Sequence, residues 1–295
     1  MGKLKKLFRN IFIKLTSKMS DEKFLKLRYR LTTKSKLNLD NPQTFNEKLQ
    51  WLKLYDRKPI YTTMVDKYAV KKYVADIIGD EYIIPTFGVW DKFDDIDFDK
   101  LPNQFVLKCT HDSGGLVIVK DKSKLDKKSA KKIIEKCLKT DFYLVAREWP
   151  YKNVPRKIIA EELLDLNENT SEFKMFCSYG KMNWVMVCTG AGHSESTRTN
   201  DGYDTDFNHL PVTFTYKNAE KPMEKPNVWD KLTNIAETLS KDIPQVRIDT
   251  YVLGDKIYFG EITLYHCSGH CEFNPPEWDL KFGEQIDLSK VKGVE

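Results

Sequence analysis

The sequence predicts an α+β protein with mostly antiparallel sheets, flanking helices and a helical N-terminal region. Two observations carry this expectation. Residues 1–60 place apolar positions at helical spacing, and from residue 105 onward short apolar runs alternate with turns rich in Gly, Asn and Asp. The last two runs, over 246–265, flank a Gly-Asp turn, the mark of a hairpin and so of antiparallel pairing.

Asn41-Pro42 marks a turn, and Thr44-Phe45-Asn46-Glu47 has capping-box spacing ahead of Leu49, Leu52 and Tyr55, so a helix starts there. A second helix is expected over about 66–78, with Val70, Val74, Ile77 and Ile78 on one face. Phe105-Val106-Leu107-Lys108 and Leu116-Val117-Ile118-Val119-Lys120 read as strands around a small polar loop, 109–115, ending in Gly-Gly. Asp126 caps a helix that turns Ala130, Ile133, Ile134, Cys137 and Leu138 inward. Strands follow at 157–164, 173–177 and 183–187, then a mobile loop at 189–211, a helix at about 227–240 and the hairpin.

With 295 residues, 41% of them hydrophobic and 31% charged, the chain can bury a full core and is not of disordered composition. No apolar run approaches the roughly 18 residues that a membrane span needs. The net charge is +5, yet Lys3, Lys5, Lys6, Arg9, Lys14 and Lys18 put six positive charges and no acid into residues 1–20. The rest of the chain is close to neutral, so nucleic acid is not an expected partner. Leu4, Leu7, Phe8, Ile11, Phe12 and Leu15 sit among those bases at near-helical spacing. The segment reads as an interfacial helix on an anionic membrane surface or, more plainly, as a docked terminal helix. Its longest apolar run, Ile11-Phe12-Ile13, is too short for a secretory signal core, so the six cysteines are expected reduced in a cytoplasmic protein.

The hairpin carries the first candidate site. Val246, Ile248 and Thr250 face one way, and Arg247, Asp249 and Tyr251 the other. On the return strand, Ile257, Phe259, Glu261 and Thr263 are expected to share a face. A two-residue turn would set Asp249 opposite Gly260 and point Glu261 away. A three-residue loop, Gly254-Asp255-Lys256, would set Asp249 opposite Glu261 and Arg247 opposite Thr263. Carboxylates so placed repel unless a cation lies between them. Mg2+, a hard ion that takes carboxylate and phosphate oxygens, suits them, and Arg247 could hold a transferring phosphoryl group. The alternative is a surface Asp, a surface Glu and an Arg ion pair.

The second candidate is Lys108, a cation at the end of a very apolar strand, which needs an anion or an exit to water. His111-Asp112-Ser113-Gly114-Gly115 follows it, and glycines let backbone N–H groups close on phosphate oxygens. The pair reads as a phosphate clamp or as a plain hairpin loop. The G-x-x-x-x-G-K-[ST] pattern of a Walker A loop is absent.

These pieces resemble the ATP-grasp fold, and more closely its teichuronopeptide biosynthesis TupA-like branch. The resemblance rests on an ordered series: Pro42 to Lys48 (PQTFNEK), Asp66-Lys67-Tyr68, FVLKCTHDSGG at 105–115, IIAEELL at 158–164, SEFKMF at 171–176, VRIDTY at 246–251, YFGEIT at 258–263 and NPPEWD at 274–279. It covers about residues 40–290. It implies ATP and Mg2+ as cofactors, with Lys108 and Arg247 as catalytic cations. Lys108 would contact ATP phosphates under the loop of Ser113, Gly114 and Gly115, and Lys67 or Lys71 would be an earlier phosphate-contacting lysine. Glu161-Glu162-Leu163-Leu164 would be the hinge whose backbone reads adenine, and Glu172 would bind ribose. Asp249 and Glu261 would hold the metal. Many ATP-grasp enzymes carry Asn two residues after the second acid; Thr263 stands there in this chain, a shorter and weaker ligand.

Three parts are then expected: a basic amphipathic segment 1–20, a helical region 21–65 and an ATP-grasp domain 66–295. The function the resemblance implies is an ATP-dependent carboxylate–amine ligase working through an acyl phosphate. It would join an amine, such as an amino acid, to a uronic acid of a bacterial surface polysaccharide, in the cytoplasm or at the inner face of the plasma membrane. A sugar kinase on the same fold, a glycosyltransferase and a non-catalytic membrane binder are the alternatives; no D-x-D motif supports the glycosyltransferase. His266-Cys267-Ser268-Gly269-His270-Cys271 offers four zinc ligands in six residues but no second ligand pair elsewhere, so it is expected to shape a substrate loop. Cys109 with His111 is too close in sequence to assume nucleophile geometry, and Arg147 to Tyr151 reads equally as an acidic-sugar reader or a helix cap.

Overall fold

The computed structural model describes residues 11–112, 114–166, 170–190 and 198–291; Ser113 and the first half of the basic segment lie outside them. Residues 11–16 are helical and lead into helix α1 (Asp21–Thr33). Helix α2 (Phe45–Tyr55) starts on the expected capping box: Thr44 Oγ accepts from Glu47 N at 3.2 Å and the Glu47 carboxylate accepts from Thr44 N at 3.3 Å. Helices α3 (Ile60–Val65) and α4 (Ala69–Ile78) follow. The helix expected from residue 66 begins at Ala69, because the Asp66 carboxylate takes the N–H groups of Tyr68 (2.8 Å) and Ala69 (3.2 Å) and works as its cap.

Two antiparallel sheets carry the rest. The first has the order β1-β4-β2-β3, from β1 (Thr86–Trp90), β2 (Phe105–Cys109), β3 (Val117–Val119) and β4 (Ile158–Glu161). Helix α5 (Lys127–Leu138), capped by Asp126, lays Ala130, Ile134 and Cys137 against Phe105, Leu107, Ile158 and Ala160. Ile133, expected inward, is 45% exposed, since the 130–134–137 stripe already fills the contact. The second sheet has the order β7-β6-β5-β8-β9, from β5 (Thr170–Ser178), β6 (Lys181–Thr189), β7 (Thr199–Tyr203), β8 (Val246–Leu253) and β9 (Lys256–Thr263).

Two strands depart from expectation. β1 was not foreseen, because Thr-Phe-Gly-Val-Trp lacks a clean period. The stretch 189–211, expected as a mobile loop, contains edge strand β7, paired from Val185↔Tyr203 to Thr189↔Thr199. Its Asn200 and Asp201 are buried polar residues, so hydrogen bonds rather than apolar alternation hold it; residues 191–197 lie outside the described residues.

The hairpin corrects the expected turn and keeps the expected pairing. The turn has two residues, with Leu253 opposite Lys256, yet Asp249 lies opposite Glu261 and Arg247 opposite Thr263. A bulge at Gly260 makes the difference: Thr250 pairs with Phe259, and the next residue, Asp249, pairs with Glu261. Ile257 and Phe259 therefore share the core face with Val252 and Thr250, and do not share a face with Glu261 and Thr263 as expected. A Cβ on Gly260 would lie 3.1 Å from Asp249 O and 3.2 Å from the Tyr251 ring, so the crossing strand leaves little room there.

Helices α6 (Phe142–Ala146), α7 (Trp229–Leu239) and α8 (Glu277–Glu284) complete the chain. One core joins the second sheet to α2, α4, α7 and α8, with Trp184 stacked between Phe176 (3.6 Å) and Phe282 (4.0 Å). At Gly283, α8 meets the start of α2 so closely that a Cβ would sit 2.2 Å from Gln43 O and 2.7 Å from Phe45 N. Both atoms are backbone and cannot yield without moving the capping box. Gly283→Ala is expected to destabilise the protein by about 1–3 kcal/mol in urea denaturation; an unchanged midpoint would show that the helices separate at no cost.

Candidate active site

The two sheets face each other across a narrow cleft of about 150 Å3. Lys67, Lys71, Lys108 and Glu161 line one wall, and Glu172, Tyr251, Gly260 and Glu261 the other. A wider depression of about 860 Å3 shares Lys71, Ile83 and Ile84 with it and continues along Pro85 and Thr86.

On the first wall, Lys108 on β2 and Glu161 on β4 are diagonal neighbours on one sheet face, because Lys108 pairs with Ile159 and Glu161 with Val106. Lys108 Nζ contacts Glu161 Oε1, and Lys71 Nζ reaches Glu161 Oε2 at 2.9 Å and Ile84 O at 2.6 Å. Burial alone would raise the Glu161 pKa, but Lys108 and Lys71 outweigh it and hold the carboxyl below its ordinary range. Lys67 Nζ donates to Asp112 O at the base of the glycine loop. The Asp112 carboxylate accepts from Gly114 N (3.1 Å) and from the Cys137 thiol (2.6 Å). Gly115 has φ +61°, and a Cβ there would lie 2.3 Å from Cys137 Sγ.

On the second wall, Arg247 grips Asp249 with both arms of its guanidinium, Nε to Oδ1 at 2.6 Å and a terminal nitrogen to Oδ2 at 2.7 Å. The same terminal nitrogen donates to Glu261 Oε1 (2.9 Å) and Thr263 Oγ1 (3.1 Å), and the Thr263 hydroxyl donates to Glu261 Oε1 at 3.0 Å. Lys174, opposite Asp249 on β5, bridges Asp249 Oδ2 (2.8 Å) and Glu172 Oε1 (2.6 Å). Asp249 is 1% exposed. Burial would raise its pKa; Arg247 and then Lys174 reverse that and bring it down to about 2. Glu172 moves the other way, raised by burial more than Lys174 lowers it.

The donor set suits a hard dication: two carboxylates on adjacent strands, with a hydroxyl bonded to one of them. The Glu261 side chain is 46% exposed, in contrast to buried Asp249. Mg2+ would be held by Asp249 and Glu261 with Thr263 beside them, and it would neutralise phosphate charge there.

Lys174, Lys71's grip on Glu161 and the buried polar group behind the hairpin are the parts that sequence reasoning missed. Lys174 was legible, being two residues from Glu172 on one strand and so on the same face. The hinge residues are partly engaged: Glu162 N donates to Pro85 O at 3.0 Å, and Leu164 O accepts from Leu166 N at 2.9 Å. After β9 the chain enters a left-handed coil at Cys267, Ser268 and Gly269, with φ of 48°, 55° and 65°. Gln50 and buried Lys53 hold its carbonyls, with Lys53 Nζ 2.8 Å from Ser268 O, and Ser268 Oγ donates to Glu148 Oε1 at 2.5 Å. Glu148 thus serves this coil, and Arg147 donates to Thr16 O at 2.7 Å. His111 Nε2 pairs with Thr140 O at 3.2 Å, away from any nucleophile role with Cys109.

Two outcomes follow. Asp249 contributes stability that is present above its unfolded pKa of 3.8 and is lost as pH falls toward about 2. In metal-free protein, the stability gap between wild type and Asp249→Asn is therefore expected to shrink by about 2 kcal/mol between pH 5 and pH 2; a constant gap would refute the pairing. Lys53→Met strands Glu148 and three acceptors, and is expected to cost about 3–5 kcal/mol in urea denaturation.

The family model described as "TupA-like ATPgrasp" matches residues 47–287. No curated protein matches the chain. Among solved structures, D-alanine–D-alanine ligase of Bacillus anthracis is similar at 18% identity and TM-score 0.40, over 68% of this chain and 57% of that one, so the chain spans little more than half of it. The D-alanine–D-alanine ligase of Helicobacter pylori is similar at 13% identity and TM-score 0.45, over 84% and 70%. A RimK domain ATP-grasp protein of Sphaerobacter thermophilus is similar at 12% identity and TM-score 0.43, over 79% and 70%. With four-fifths of its length under one family model, and with two antiparallel sheets around a lysine- and carboxylate-lined cleft, the chain belongs to the TupA-like ATP-grasp family.

Proposed function

We propose that the protein is a Mg2+-dependent carboxylate–amine ligase that activates its carboxylate substrate with ATP. One observation carries the reading: Lys71 and Lys108 on one wall of the cleft confront Glu261 on the other, with Arg247 and Asp249 behind it. Cations on one side and a hard-metal carboxylate pair on the other are what a metal-bound triphosphate requires. Lys71 and Lys108, paired with Glu161 in the free protein, would turn to phosphate oxygens, and the loop of Ser113, Gly114 and Gly115 would close over them. Glu161 to Leu164 would line the adenine, and Glu172 the ribose.

In the reaction, a substrate carboxylate oxygen attacks the γ-phosphorus and ADP leaves, giving an acyl phosphate. Arg247 stabilises the charge on the transferring phosphoryl group. An amine then attacks the acyl carbon, and phosphate leaves with formation of the amide. The family supports a uronic acid of a bacterial surface polysaccharide as the carboxylate and an amino acid as the amine. The basic segment 1–20 suits an acceptor presented at the cytoplasmic face of an anionic membrane. No helix among the described residues is long and apolar enough to cross a membrane.

The test is ADP release with a panel of uronic acids and amino acids, read together with product mass. An amide product is expected, with turnover lowered at least about 100-fold in Glu261→Gln and Lys108→Met. A product carrying an added phosphate would make the protein a sugar kinase, and unimpaired variants would overturn the site.

A further inference from the structure

The coil that follows β9 holds a thiol pair that the ligase reading does not use. Arg247 donates to His266 Nδ1. A guanidinium has only donors, so Nδ1 accepts and the ring proton sits on Nε2. Cys267 Sγ lies beside that ring, 3.6 Å from Nε2 and 3.9 Å from Nδ1. His266 is buried and packs edge-on against Phe176 with ring centroids 5.0 Å apart, so its ring is held in place. The sequence offers zinc ligands here although a substrate loop is the expectation, and the ligand atoms of His266, Cys267 and Cys271 do lie within 4.8 Å of one another. With Nε2 protonated and Nδ1 committed to Arg247, however, the imidazole has no lone pair left for a metal.

The same arrangement sets the Cys267 sulfur against an imidazole that is bonded to a guanidinium cation. The left-handed turn over Cys267, Ser268 and Gly269 brings Cys271 back to within that 4.8 Å of Cys267. Cys267 is exposed and Cys271 half-buried, whereas Cys109, Cys137, Cys177 and Cys188 are buried. The neighbouring Cys271 thiol, which also reaches His266 O at 3.5 Å, and then His266 and Arg247 bring the Cys267 pKa down to about 4.

We propose that Cys267 is a reactive thiolate that peroxide-class oxidants modify, and that Cys271 resolves the product to a Cys267–Cys271 disulfide. The Cys267 sulfur attacks one peroxide oxygen, the O–O bond breaks, and hydroxide leaves and is protonated to water. Sulfur is oxidised to a sulfenic acid as the peroxide is reduced. The Cys271 sulfur then attacks that sulfur; the S–O bond breaks, the S–S bond forms, and the hydroxide leaves as water with the Cys271 proton. The sulfurs must close from within 4.8 Å to about 2 Å.

The full chain is alkylated with iodoacetamide across pH 4–9.5 and mapped by peptide mass. At pH 6, Cys267 is expected to react at least ten times faster than the other five thiols, and His266→Phe to slow it about tenfold. A wild-type profile that inflects near the ordinary thiol pKa of about 8.5 overturns the proposal whether or not the variant folds. One equivalent of hydrogen peroxide is expected to give the Cys267–Cys271 disulfide, and in Cys271→Ser a dimedone adduct on Cys267. Oxidation at another cysteine, a disulfide between chains, or stoichiometric protection of both thiols by Zn2+ would overturn it. These readouts need no turnover, so they stand or fall apart from the ligase reading.

Discussion

A carboxylate that is 1% exposed keeps its charge only if cations touch it, and Asp249 is held by Arg247 and Lys174 at 2.6–2.8 Å. This requirement dictates much of the second sheet. β5 must lie beside β8 to bring Lys174 against Asp249, and β9 must lie on the other side to bring Glu261 under the same guanidinium. The bulge at Gly260 is the device that makes the second condition compatible with a two-residue turn. Without it, the pleat would send Glu261 into the core opposite Ile248 and Ile262 into the cleft opposite Arg247.

The opposite wall repeats the logic. Glu161 is a buried acid whose role is to hold two lysines, one from β2 and one from α4. Each wall thus pairs most of its charge internally, with a lysine charge in excess on the first and a carboxylate charge in excess on the second. A metal-bound polyphosphate offers an exchange of partners, phosphate for the lysines and the dication for the carboxylates. Such an exchange avoids exposing bare buried charge at any stage, which is how a site of this charge density stays compatible with a stable fold.

The face shared by Arg247, Asp249 and Tyr251 was legible from alternation alone, and so was the facing of Asp249 and Glu261, though through the wrong loop length. Turn length and bulge give the same pairing at Asp249, and the four pairs from Thr250↔Phe259 to Leu253↔Lys256 distinguish them. Lys174 obeyed the same period-two rule and was overlooked beside its acidic neighbour. Glu161 was read as hinge backbone because nothing local in IIAEELL tells of Lys71, which arrives from a helix before the sheet begins. β7 escaped for a related reason: its Asn200, Asp201 and Gly202 carry no apolar period, and its place comes from pairing with β6. Local pattern announced what each strand presents; the charge partners depended on non-local contacts.

The central claim is that the two walls close on one metal-bound nucleotide. A crystal structure of the protein with Mn2+ and a non-hydrolysable ATP analogue, phased at the manganese edge, tests it most directly. The account predicts an anomalous peak within coordination distance of Asp249 and Glu261, and phosphate oxygens on Lys71 and Lys108. A manganese peak elsewhere, or phosphates that leave the Glu161 pair with its lysines undisturbed, would contradict it.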